Sequence, residues 1–238
     1  MPLLLTVILS TLIAGLAMAL GAVIARFEKI QAQWLEEEFR HSVTAFGGGA
    51  LLSAVALILV PEGLASLTPA AASVWFVVGG FSFMLLDIYL KKINTPASQL
   101  AAMLADFVPE SIALGAAFAT GNSSAFLLAA LIALQNLPEG FSAYRELNAR
   151  SSYKPQKIIM IFATMATLGP VAGVTGYLWL SESPAVIAAI MLFASGGILY
   201  SIFQDIAPQV KLEKHCAPPM GAVLGFVLGM LGFMVTTP

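Results

Sequence analysis

Long apolar stretches separated by short polar breaks make up most of this chain. Each stretch has about 20 residues or more, the length that an α-helix needs to cross a bilayer. The stretches cover, to within a few residues, 2–25, 43–66, 68–90, 100–120, 124–147, 158–181, 184–208 and 217–237. The pattern predicts an all-α integral membrane protein with eight transmembrane helices in a single domain, residues 1–238.

Composition agrees with this pattern and excludes several classes of protein. Hydrophobic residues make up 59% of the chain and charged residues 10%, whereas a soluble domain has about 25% charged residues. A net charge of −2 provides no basic surface for nucleic acid. The single Cys216 excludes an intramolecular disulfide and a cysteine metal cluster. His41 and His215 lie in charged loop segments, so no histidine metal site is predicted.

The basic residues are distributed unevenly among the loops. All eleven fall in the first, third, fifth and seventh connections, which are expected to be cytosolic because Lys and Arg concentrate on that side. Both termini are then outside, and the lack of appended domains suggests a bacterial plasma (inner) membrane. The first connection, 26–42, is predicted to be a solvated amphipathic linker. The basic residues are Arg26, Lys29, Arg40, Lys91, Lys92, Arg145, Arg150, Lys154, Lys157, Lys211 and Lys214.

Two short segments recur within the chain. Residues 106–111 (DFVPES) match 135–140 (QNLPEG) at an offset of 29, and 48–53 (GGALLS) match 196–201 (GGILYS). Under the predicted topology, the second and seventh helices run in opposite directions. These matches predict an inverted repeat of helices 1–3 and 6–8 around a hairpin of helices 4 and 5, an arrangement found in many secondary transporters. The glycines are predicted to pack helices together.

Acidic residues concentrate in the fourth and fifth predicted helices. Asp106 and Glu110 are four residues apart, as are Gln135 and Glu139, so each pair shares one helix face. Counting back from the turn, Asp106 is level with Glu139 and Glu110 is level with Gln135, near mid-membrane. Three adjacent carboxylates there cannot all stay ionised without a cation or protons. These four residues predict a divalent cation site. The alternative is a proton-sharing network that only holds the helices together.

Prolines precede both glutamates. Pro109 and Pro138 each remove one helical hydrogen bond, which frees the carbonyls of Ala105 and Leu134. Free carbonyls at this depth need a partner, so the prolines predict a broken-helix ion site. Neighbouring Asn136 is either a weaker ligand or a cap for a distorted turn.

Other polar residues lie nearer the ends of the helices. Glu62 is either a cation-collecting entrance or a solvated helix end. Asp205, with Gln204, suits an exit station near the inner end of the seventh helix. Asp87 and Lys91 are four residues apart and are predicted to form a surface ion pair.

The doubled motif resembles the paired metal-binding helices of the ZIP family (Zrt/Irt-like divalent-metal transporters), which usually carry His-Asn-x-Pro-Glu-Gly in both copies. The resemblance extends over the whole chain and implies a 3+2+3 helix arrangement and alternating access. It also implies a metal ion as substrate and not as cofactor, with zinc, iron, manganese and cadmium as candidates. The lipid bilayer and a second copy in a homodimer are the other expected partners, and no enzymatic activity is expected.

The resemblance also assigns ligands to the primary metal site. Asp106 stands in the place of the family's first histidine. Glu110, Gln135 and Glu139 match the remaining ligands.

The departures from the family cluster at its second metal site. Phe107 replaces an asparagine ligand, and Gly169 stands where the sixth helix often supplies a glutamate, although Asn136 is retained. One tightly held ion is therefore expected. Asp205 matches an acidic position near the inner end of the seventh helix.

Two alternatives remain at this point. A degenerate, non-transporting relative would act as a metal sensor or a structural subunit. An intramembrane enzyme using paired acids is the second, without an HExxH motif to support it.

Overall fold

A computed structural model describes residues 3–28, 33–93, 95–121, 123–179, 183–210 and 217–236. Within these ranges the regular secondary structure is helical, without strands, and eight helices are long and apolar enough to cross a membrane. The chain is therefore an α-helical integral membrane protein. The helices are α1 (Leu3–Phe27), α2 (33–65), α3 (Pro69–Ile93), α4 (Pro96–Ala119), α5 (Ala125–Arg150), α6 (155–179), α7 (184–210) and α8 (Ala217–Thr236).

Several predicted boundaries shift. The largest shift is in α2, which begins at Gln33, so most of the predicted linker is helical. Its sequence there contains Leu35, three consecutive glutamates at 36–38 and Arg40, all residue types that favour helix. The predictions for Lys29, His215 and Cys216 concern residues outside the described ranges, as do those for Lys211 and Lys214.

Two helices continue through an internal proline, and a third helix is interrupted. α4 and α5 continue without interruption through Pro109 and Pro138, so the expectation of broken helices at these positions is wrong. Losing a single hydrogen bond is compatible with a continuous helix when neighbouring helices hold it. α6 does break, at Thr167, between Pro155–Ala166 and Leu168–Trp179.

Two helices contain a wider turn that the sequence did not predict. Val55–Leu59 in α2 and Ile202–Ile206 in α7 are π-helical, each between α-helical segments. Such single turns occur frequently at functional sites. The turn in α7 contains both Gln204 and Asp205.

Glycines allow helix backbones to approach closely, and four helix pairs illustrate this. A methyl group on Gly140 of α5 would overlap the Met18 carbonyl of α1, and one on Gly115 of α4 would overlap the Gly173 carbonyl of α6. Gly225 brings α8 against α2, and Gly196 brings α7 against α3, in the same way. Close backbone approach at small residues is the usual packing mode of membrane helices. The helices α2 and α7 are mostly buried, whereas α3 and α8 are mostly exposed.

Candidate metal-binding site

The acidic faces of α4 and α5 meet. Gln135 Nε2 on α5 donates hydrogen bonds to both carboxylate oxygens of Glu110 on α4, at 3.0 and 3.3 Å. Glu110 is 2% exposed and Gln135 6% exposed. The two residues therefore lie level with each other, as the residue count from the turn predicts. A buried carboxylate needs such donors, since its transfer from water is costly.

α7 brings a third helix to these residues. Ser201 Oγ donates a hydrogen bond to Asp106 Oδ1 at 3.4 Å. Glu139 lies close enough to Asp106 and Asp205 to interact electrostatically with both. Asp106 interacts in the same way with Glu110. Four acidic side chains from three helices thus share one region, which attracts cations.

The second residue of each motif copy lies against α1. Phe107 on α4 is fully buried, and its ring lies against Gly169 of α6 and Gly15 of α1. Asn136 on α5 is 1% exposed and donates from Nδ2 to the Ala14 carbonyl of α1 at 2.9 Å. The two motif copies therefore place their first and fifth residues in the polar region, whereas their second residues contact α1.

Three consecutive glycines of α2 pack next to the site, each against a different helix. Gly47 lies against Pro138 of α5 and Gly48 against Ile206 of α7, while Gly49 lies against α8. Any larger side chain at Gly47 would push on the proline beside Glu139. These glycines pack helices together, as the sequence predicts.

The side chains do not form a preassembled coordination shell. Over the described ranges, no three or more His, Cys, Asp or Glu side chains are grouped at metal-binding spacing. Glu110 is held by an amide donor, and Asp106 by a hydroxyl donor. A cation could be held by Asp106, Glu110 and Glu139, with the Gln135 oxygen, if it replaced these donors. Carboxylate and amide oxygens suit hard or borderline divalent ions.

The other predicted residues lie outside this arrangement or at its edge. Glu62 is exposed near the end of α2, whereas Gln204 and Asp205 are exposed on the π turn of α7. Asp87 and Lys91 form the predicted ion pair at 2.8 Å.

The sequence analysis did not single out three polar residues that lie in or near this region. Ser201 is the donor to Asp106, and Tyr200 Oη donates to Asp87 Oδ2 at 3.0 Å, which ties α7 to α3. Ser111 Oγ is buried and has no hydrogen-bond partner among the described residues. Ser201 could have been found, because it ends the repeated GGxxxS segment; Tyr200 and Ser111 carry no such signal.

Comparison with known proteins does not identify the chain: no protein-family model matches it, and neither does any curated protein.

Proposed function

We propose that this protein is a ZIP-type transporter that moves a divalent metal ion into the cytosol by alternating access. The observation that carries the proposal is the hydrogen bond between Gln135 and Glu110. It brings the two Pro-Glu motif copies to one depth, with Asp106 and Glu139 beside them. We take Asp106, Glu110, Gln135 and Glu139 as the ligands of one ion. Zinc, iron, manganese and cadmium are the candidate substrates.

An inverted repeat is part of the proposal. If α1, α2, α3 and α4 correspond to α6, α7, α8 and α5, the pair α1–α5 corresponds to α6–α4, and α2–α8 to α7–α3. In each of these four pairs a glycine packs against a backbone carbonyl of the other helix. The GG segments differ by 148 positions, which maps the π turn Val55–Leu59 to 203–207, one residue from Ile202–Ile206. The corresponding helix pairs and the corresponding π turns both support a 3+2+3 arrangement. Rocking of such repeats is how many transporters alternate access.

The proposed path follows the polar residues from outside to inside. Glu62 collects cations at the entrance, and Asp205, with Gln204, receives them on the way out. We place the protein in a bacterial inner membrane. We place both termini outside because the basic residues lie in the odd-numbered connections. Electrostatic interaction of Asp205 with Glu139 supports a continuous acidic route from the ligands to α7.

Metal uptake into liposomes tests the function. Purified protein should carry zinc or manganese into vesicles loaded with a metal indicator. Glu110→Ala and Glu139→Ala should each abolish uptake, because each removes a charged ligand, while membrane insertion stays normal. Glu62→Ala is the matched control: an exposed entrance carboxylate changes local ion concentration and should have a much smaller effect.

The same assay separates the alternatives. A sensor would bind metal without uptake, whereas a structural subunit or an intramembrane enzyme would show no uptake. Normal uptake by both glutamate variants would place the site elsewhere and contradict the assignment to α4 and α5.

A further inference from the structure

Asn136 uses both ends of its amide. Nδ2 donates to the Ala14 carbonyl at 2.9 Å, and Oδ1 accepts a hydrogen bond from Gln135 Nε2 at 3.2 Å. The side chain is 1% exposed, so water does not compete for these bonds. Asn136 therefore links the backbone of α1 to Gln135 on α5.

This link fixes which way the Gln135 amide faces. A backbone carbonyl can only accept, so Asn136 must turn its NH₂ to Ala14 and its oxygen to Gln135. Gln135 must therefore donate to the Asn136 oxygen from Nε2, and the same nitrogen donates to Glu110. A flipped Gln135 amide would place its oxygen against two acceptors, the Asn136 oxygen and the Glu110 carboxylate. Both N–H groups of Gln135 are thus engaged, and Oε1 is the remaining atom of its amide.

The orientation matters because an amide ligates a cation through its oxygen. Once a cation engages Glu110, that carboxylate is a weaker acceptor for Nε2. The Asn136 oxygen is then the partner that keeps the Gln135 nitrogen turned away and its oxygen available.

We propose that Asn136 is a positioning residue that acts through Gln135, anchored on the Ala14 carbonyl of α1, and is not itself a metal ligand. This inference rests on the proposed function. It explains why Asn136 lies among the buried residues of α5. It also makes the orientation of one ligand depend on how α1 packs against α5.

Uptake kinetics in two backgrounds test the role. Asn136→Leu keeps the branched shape of the side chain and removes the amide, and loss of such a supporting partner typically weakens metal binding about tenfold or more. We therefore expect the half-saturating Mn²⁺ concentration to rise by about that factor, with a smaller change in maximal rate. In the Gln135→Glu background the same change should have less than about a twofold effect, because the two oxygens of a carboxylate are equivalent and need no orientation. Asn148→Leu, at an exposed position of α5, is the matched control and should leave uptake unchanged.

Equal effects of Asn136→Leu in both backgrounds, or none in the wild type, would overturn the positioning role. A second measurement separates this outcome from failure of the proposed function. Melting midpoints of metal-free protein in detergent should show a smaller loss from Asn136→Leu when Gln135 is already Leu. Additive losses would disprove the Gln135–Asn136 link even if uptake persists. If the wild type takes up no metal, the proposed function fails and the positioning role fails with it, while non-additive midpoints would still support the contact.

Discussion

The first two residues of the first motif copy have different surroundings. Asp106 occupies the first position of its copy and accepts a hydrogen bond from Ser201. Phe107 occupies the second position and is buried between glycines of α1 and α6. If the proposed metal site is correct, we expect the chemistry of the first position to affect metal preference and the volume of the second to affect the number of bound ions.

Metal preference should depend on residue 106. Carboxylate and amide ligands suit manganese, whereas imidazole favours zinc and cadmium. Asp106→His should therefore shift uptake toward zinc and cadmium relative to manganese, measured by competition in the same liposomes. Asp87→His is the control, because Asp87 pairs with Lys91 outside the ligand set. An unchanged ratio in Asp106→His, or a wild type that carries zinc alone, would show that ligand softness at this position does not set selectivity.

Ion number should be one. The Phe107 ring lies against Gly169, so the chain has an aromatic ring and a hydrogen atom at the two positions where the ZIP resemblance would supply donors to a second ion. Anomalous diffraction from metal-soaked crystals should give a single strong peak, and Glu110→Ala crystals should lose it. Two full-occupancy peaks about 3.5–4 Å apart, the spacing of a paired-metal centre, would contradict this prediction.

Whole helices depend on glycine at specific positions. Gly79 and Gly80 are neighbours on α3, yet a methyl group at Gly79 would overlap the Phe193 carbonyl of α7. At Gly80 the nearest heavy atom would be 3.5 Å away, an ordinary contact. The pair therefore offers the same substitution with and without a clash.

Gly79→Ala should destabilise the protein by about 1–3 kcal/mol, the usual cost of overpacking. Gly80→Ala should be neutral or slightly stabilising, because alanine is the better helix former. Melting midpoints of both variants in the same detergent test this. Equal midpoints would mean that α3 and α7 pack less closely than the structure shows.

The sequence predicts the number and approximate position of the helices better than their ends and internal turns. Eight spans follow from hydropathy because lipid leaves a chain few options other than helices of about 20 apolar residues. The level of Glu110 and Gln135 follows from counting back along a hairpin. The π turns at Val55–Leu59 and Ile202–Ile206 were not predicted, because they depend on neighbouring helices and not on local propensity. The start of α2 at Gln33 was missed because polarity was interpreted as a linker.

At the level of the whole molecule, orientation decides the direction of transport. An ion entering near Glu62 and leaving near Asp205 moves into the cytosol only if the odd-numbered connections are cytosolic. Two exposed serines lie in suitable places: Ser66 follows α2 in the second connection, and Ser152 follows α5 in the fifth. They are predicted to lie on opposite sides of the membrane.

Cysteine labelling of intact spheroplasts with a membrane-impermeant thiol reagent tests this orientation. The native Cys216 should be protected until the membrane is opened, because it follows Lys211 and Lys214 in a connection rich in positive charge. In a Cys216→Ser background, Ser66→Cys should label from outside, and Ser152→Cys should label only after permeabilisation. The two variants control for each other, since both positions are exposed at helix ends. Reversed labelling would place both termini in the cytosol and turn the proposed importer into an exporter with the same ligands.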